Sequence, residues 1–158
     1  MPSPPRIVLV SACLLGRECR YDGCHNRDGV LEAELAAAGE EALPFCPEER
    51  GGLPTPRPPA WIEARDAGAV LDGHDRVVTE GGGNVTAPFV RGAELALAKC
   101  AEFGIEKAYL KERSPSCGVA TTHVNGVPVP GPGVTAALLA RAGIEVVGVE
   151  GKRAAPEG

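Results

Sequence analysis

Three cysteines stand where the sequence also signals the end of a β-strand, and a thiolate at such a place can ligate a soft metal or act as a nucleophile. Cys13 follows the apolar run at residues 7–10, Cys46 the run at 42–45, and Cys117 the segment at 107–111. Pro115 lacks a backbone N–H and biases Ser114 away from helix, while Gly118 allows a positive φ, so Cys117 is presented by a sharp turn. If the three runs are parallel strands of one sheet, their thiols meet at its carboxyl edge, where open α/β sheets bind ligands. Three thiols around one crevice suit a zinc ion with an open position, or a cubane cluster with one iron lacking a protein ligand. No C-x-x-C pair is present, and the spacing leaves both readings open.

Other residues divide into candidates and bystanders. Glu48, two residues after Cys46, is the candidate acid/base, because a carboxylate beside a thiol-rich crevice has a tunable pKa. Ser114, three residues before Cys117, is placed to relay a proton or simply to close the turn through its hydroxyl. Cys19, Cys24 and His25 form a second thiol and imidazole constellation, but their spacing matches no familiar zinc pattern. Cys100 falls on the apolar stripe of a helix and reads as core. His74 and His123 have no evident partner and read as surface residues.

The elements that must position these groups follow from periodicity. The near-continuous apolar run at 7–10 predicts a strand buried on both faces, followed by a helix over 30–38 with Asp28 as N-cap and Gly39 as stop and a second strand at 42–45. The stretch Gly51-Gly52-Leu53-Pro54-Thr55-Pro56-Arg57-Pro58-Pro59 carries four prolines; such a stiff loop can hold Arg57 beside the Cys46 thiol. Residues 70–72 and 76–79 predict a small hairpin flap, and Gly81 to Gly83 a flexible link. A long amphipathic helix spans 87–103, a strand 107–111, a helix 134–141 with a glycine-bearing N-terminus open to an anion, and a last strand 145–149. Strand and helix alternate, which predicts a three-layer α/β sandwich on a mainly parallel, Rossmann-like sheet.

Composition narrows the function. A chain of 158 residues is expected to be one domain, with a core over 6–150 and flexible ends at 1–5 and 151–158. With a net charge of −5 and no Lys/Arg block, duplex nucleic acid is an unlikely fit and a small-molecule partner is favoured. No apolar run reaches the roughly 18 residues of a membrane span and no signal-peptide pattern opens the chain, so a cytoplasmic protein is expected. Six cysteines are too few for a disulfide scaffold of this length.

Longer motifs add a resemblance. Ser11-Ala12-Cys13-Leu14-Leu15-Gly16, Arg20-Tyr21-Asp22-Gly23, Cys46-Pro47-Glu48 with the proline-rich stretch after it, Lys111-Glu112-Arg113-Ser114-Pro115-Ser116-Cys117-Gly118 and Gly133-Val134-Thr135-Ala136 resemble the thiouracil desulfurase family, in order and over most of the chain. The resemblance implies a 4Fe–4S cluster on Cys13, Cys46 and Cys117 with one iron open. It also implies non-redox hydrolysis that removes sulfur from a 2-thiouracil-like pyrimidine or a related thioamide. It gives Glu48 the proton-transfer role, Ser114 an assisting one, and Ser11, Asp22, Arg57 and Lys111 places at the substrate. Cys19 and Cys24 are outside that ligand set. The rivals are a non-catalytic zinc or metal-binding module and a thiol-based sulfur carrier.

Overall fold

The computed structural model describes residues 5–154. In chain order the elements are β1 (Arg6–Ser11), a 3-10 turn (Ala12–Leu15), α1 (Gly29–Ala37), β2 (Glu40–Phe45), α2 (Pro47–Arg50), β3 (Ala60–Ile62), α3 (Ala67–Leu71), β4 (Val77–Thr79), α4 (Thr86–Phe103), β5 (Lys107–Lys111), β6 (Thr121–Val124), β7 (Val127–Pro130), α5 (Val134–Arg141) and β8 (Glu145–Val149).

The first sheet has the order β2-β1-β5-β8, with every pairing parallel. Alternate residues of β1 explain its continuous apolar run. Val8 and Val10 pack with Leu31 and Leu35 of α1 on one face, while Leu9 packs with Ala96 and Cys100 of α4 and Leu139 of α5 on the other. Helix, sheet and helix therefore form the expected three layers. The chain order steps from β1 outward to β2 in one direction and to β5 in the other, so the crevice above β1 and β5 is a topological switch point.

A second sheet, β4-β3-β6-β7, lies beside the first and has its own core of Ile62, Val70, Val77, Phe89 and Val134. Here the expected hairpin is corrected. Residues 67–71 form a helix capped by Asp66, whose carboxylate accepts from the Ala69 N–H at 2.7 Å, and β4 pairs antiparallel with β3. The hairpin of this region is β6–β7. Its turn is Asn125-Gly126, both at positive φ (51° and 75°), the Asn-Gly pattern that fits the twist of a two-residue hairpin. Pro128 and Pro130 are tolerated in β7 because it is an edge strand.

Two close approaches fix the frame around the crevice. A Cβ on Gly92 of α4 would lie 2.0 Å from the Pro47 carbonyl oxygen, so α2 presses directly on α4. A Cβ on Gly148 of β8 would lie 1.9 Å from Glu112 Oε2. Glu112 is buried, and its carboxylate accepts backbone N–H groups of Val119 (2.8 Å), Ala120 (3.0 Å) and Thr121 (3.3 Å). That ties the chain leaving Cys117 to the end of β5.

The stretch after β8 is not frayed where it is described. Lys152 N–H donates to the Asn26 carbonyl at 3.1 Å, Gly29 N–H to the Arg153 carbonyl at 2.8 Å, and Arg153 Nε to buried Asp28 at 2.7 Å. Residues 1–4 and 155–158, the rest of the two expected flexible ends, lie outside the described residues. Among the described residues no helix is long and apolar enough to cross a membrane.

Candidate functional site

Cys13, Cys46 and Cys117 line one cavity of about 540 Å³ at the carboxyl edge of the parallel sheet. Each is set there by a different local device. Cys13 is the second residue of the 3-10 turn that follows β1 and accepts a hydrogen bond from Asn26 Nδ2 at 3.5 Å. Cys46 is the N-cap of α2, with Pro47 pre-set for the first helical position. Cys117 hangs from a clamped turn: Ser114 Oγ accepts the Ser116 and Cys117 N–H groups at 3.1 Å each. The carbonyls of Pro115 and Ser116 accept the Val134 and Thr135 N–H groups of α5 at 2.9 and 2.8 Å. The expected anion-facing terminus of this helix is thus corrected, because its free N–H groups hold the Cys117 turn.

The thiols differ in acidity. Contact with the Cys19 thiol, the Asn26 amide and the Lys111 ammonium lowers Cys13 to about 7 against opposing burial. Contact with Cys19, the Glu49 backbone N–H and the Arg57 charge lower Cys46. Burial pushes Cys117 up to about 12, with the Ser11 and Ser116 hydroxyls only partly offsetting it. Cys19, whose side chain faces Cys13 and Cys46, is raised.

Glu48 sits on the first turn of α2 with both carboxylate oxygens engaged. Oε1 accepts from Arg57 Nε at 3.1 Å, and Oε2 accepts the Ser116 hydroxyl at 2.9 Å, with Ser114 Oγ at 3.5 Å. The proline-rich loop does hold Arg57 against this corner: its guanidinium also reaches the Cys19 carbonyl at 2.9 Å and the Pro54 carbonyl at 3.2 Å. Both members of the Arg57–Glu48 pair are largely buried, at 6% and 15% side-chain exposure, so water screens it far less than a surface pair.

Ser11 and Lys111 also line the cavity. Buried Ser11 accepts the Lys111 N–H at 2.9 Å, and Lys111 Nζ donates to the Glu112 carbonyl at 2.8 Å. Burial lowers the Lys111 pKa. Asp22 does not reach the cavity wall; it is exposed and pairs with Arg20, which does line the wall, at 2.9 Å. Cys24 and His25 are exposed on the same loop, apart from Cys19, so that second constellation is not assembled. His74 is exposed, whereas His123 lines the cavity with Nδ1 2.7 Å from the Arg113 carbonyl. Cys100 is 2% exposed among aliphatic neighbours and pushed up to about 11 by burial, as a core residue should be.

Sequence reasoning passed over three members of the site, Ser116, Asn26 and Trp61, and placed a fourth, Cys19, in a separate constellation. Ser116, buried at 1%, joins Glu48 to the Cys117 turn. Asn26 and Trp61 form parts of the wall. Cys19 lies among the ligand candidates: its sulfur, the Cys46 sulfur and a Glu49 carboxylate oxygen are all within 4.8 Å of one another. Signals for Ser116 and Cys19 were present, since one lies inside the Ser-Pro-Ser-Cys turn and the other in the loop just past Cys13. Nothing local marks Asn26 or Trp61.

An α/β domain that gathers four thiols, a largely buried carboxylate and serine hydroxyls around one cavity has the donors to hold a thiolate-ligated metal centre. The comparisons give the class a family. A family model described as 2-thiouracil desulfurase matches residues 8–150, and the chain belongs to that family. A relative from Bacillus subtilis (strain 168), the uncharacterized protein YbbK, is 40% identical over 144 residues, covering 89% of this chain and 94% of that protein. A solved structure of a "[4Fe-4S]-dependent thiouracil desulfidase TudS (DUF523Vcz)" is 49% identical, with 90% of each chain covered and a TM-score of 0.76.

Proposed function

We propose that this chain is a desulfurase that binds a 4Fe–4S cluster through Cys13, Cys46 and Cys117 and removes sulfur from a small thiolated pyrimidine. The observation that carries the reading is the meeting of these three strand-end thiols in one cavity with Glu48 on its wall. The donor set fits the cluster. It is made of sulfur, comes from the ends of three separate strands, and lines one cavity of about 540 Å³. Family membership and the cluster-dependent solved relative support the same assignment.

When bound, the cluster supplies an electrophilic iron at which a thiocarbonyl sulfur is polarised. The chain supplies the rest. In the net reaction water replaces sulfur at the carbon: the C=S bond becomes C=O, sulfur leaves as hydrosulfide, and no electron is gained or lost. Glu48 takes a proton from the water. Arg57 holds its Oε1 at 3.1 Å, which aims the other oxygen at the serine pair. Ser116 and Ser114, 3.0 Å apart, link that oxygen to the Cys117 turn and give the proton a path toward the departing sulfur. Trp61 and Tyr21 line the same cavity and offer apolar ring surface for a flat heterocycle.

The test is anaerobic loading with iron and sulfide, followed by assay of sulfide released from 2-thiouracil and a panel of thiolated bases. Brown protein that releases sulfide supports the reading. A colourless protein that takes up zinc under the same conditions, or one that releases sulfide without iron, overturns it in favour of a metal-binding module or a sulfur carrier.

A further inference from the structure

Cys19 is a buried thiol of the cavity that the proposed reaction leaves unused. It is 2% exposed although it stands on a loop. Its sulfur lies within 4.8 Å of the Cys46 sulfur and is also in side-chain contact with Cys13. The backbone around it is fixed, since its carbonyl accepts from Arg57 Nη2 at 2.9 Å and its N–H donates to the Arg17 carbonyl at 2.9 Å. Glu49 is the other neighbour: Oε2 accepts the Thr55 hydroxyl at 2.5 Å, while Oε1 lies 3.3 Å from Arg17 Nε without a hydrogen bond. The thiol therefore faces two sulfur atoms assigned to iron, with a Glu49 carboxylate oxygen beside them.

We propose that Cys19 is a positioning residue whose single S–H donates to the Cys13 or the Cys46 sulfur and so draws negative charge away from a cluster ligand. This rests on the cluster reading of the preceding section. Hydrogen bonds to ligand sulfurs are one of the means by which a protein sets the potential of an iron–sulfur centre. A ligand that gives less charge to iron leaves the metal a better acceptor for a substrate sulfur. The effect fits a reaction in which iron polarises and does not exchange electrons.

The experiment compares wild type, Cys19→Ala and Cys19→Ser, each loaded anaerobically, by iron and sulfide content and by the midpoint potential of the cluster. All three are expected to hold the same iron. The midpoint should move to more negative potential in Cys19→Ala and return toward the wild-type value in Cys19→Ser, because a hydroxyl also donates. Equal iron with an unmoved midpoint in Cys19→Ala overturns this proposal alone. So does loss of iron from Cys19→Ala and Cys19→Ser, or an EPR signal of a three-iron cluster confined to those two variants, because Cys19 would then be a ligand. Wild-type protein that binds no iron overturns the cluster reading itself and this inference with it.

Discussion

The two walls of the cavity are built on different principles. On one side the parallel sheet ends in Cys13, Cys46 and Cys117, all buried or half-buried, each held by a turn or helix start. The rest of the lining includes Trp61 of β3 and His123 of β6, with Tyr21, Arg113 and Lys152 from loops. The first wall is rigid because three parallel pairings and two helix layers fix the strand ends at once. The second depends on a small sheet in which β3 meets β6 through the single pair Ile62 and Val124. The difference teaches where each task would belong under the proposed function: the centre at the sheet edge, and the molecule that enters and leaves against the smaller sheet.

Breaking the first wall should have the largest effect. Cys46→Ser is expected to lose both iron and sulfide release, measured by metal content and turnover on anaerobically loaded protein. Glu48→Ala lies on the same wall but outside the ligand set, so it should keep full iron while turnover falls by roughly 10²–10⁴-fold, the usual share of acid/base catalysis. An active Glu48→Ala would remove this residue from the mechanism.

The buried thiol of Cys117 sets a pH limit on the metal-free protein. Burial pushes its folded pKa up to about 12, above the value of an exposed thiol, so the folded state resists ionisation, and the stability it confers is complete below the unfolded pKa. That stability is lost as pH rises from the unfolded value through the folded one, a fall of about 4 kcal/mol at the full shift. Chemical denaturation of apo protein across this window should show the fall, and Cys117→Ala should flatten it.

Trp61→Ala tests the second wall. It should leave iron content unchanged and raise KM by roughly tenfold, in line with about 1–3 kcal/mol for stacking a base on an aromatic ring. A loss of iron there would erase the division between walls. Cys100→Ser gives the smallest functional effect: both iron and turnover should match wild type, since its neighbours are Ala96, Leu139 and other core residues. Equal damage from Cys46→Ser and Cys100→Ser would break the ligand assignment.

Much of the frame was legible because it depends on local pattern. The strand at Lys107–Lys111, the helix at Val134–Arg141 and the strand at Glu145–Val149 begin and end where periodicity and glycine place them. The Asp28 cap is also seen, with its carboxylate accepting the Leu31 N–H at 2.9 Å. Val70 and Leu71 look like strand in the expected hairpin arm at 70–72, whereas the Asp66 cap and the packing of Val70 against Phe89 favour the helix at Ala67–Leu71. The Asn125-Gly126 hairpin was marked by the strongest of short-range turn signals, and the prolines beside it hid the strands. The tie between Arg153 and Asp28 spans 125 residues, and no local window contains it.

By itself the sequence determined the alternation that makes a parallel sheet, the three strand-end thiols, and the motifs that place the chain in its family. Those are local facts: hydrophobic period, turn chemistry and residue type. Only the tertiary structure decided that Cys19 joins the thiols while Cys24 and His25 stay outside, that Ser116 carries the hydrogen bond to Glu48, and that the amides of α5 clamp a turn instead of an anion. Each of these is a choice of partner across tens of residues, fixed by which backbone groups and side chains the packed layers bring within hydrogen-bonding reach.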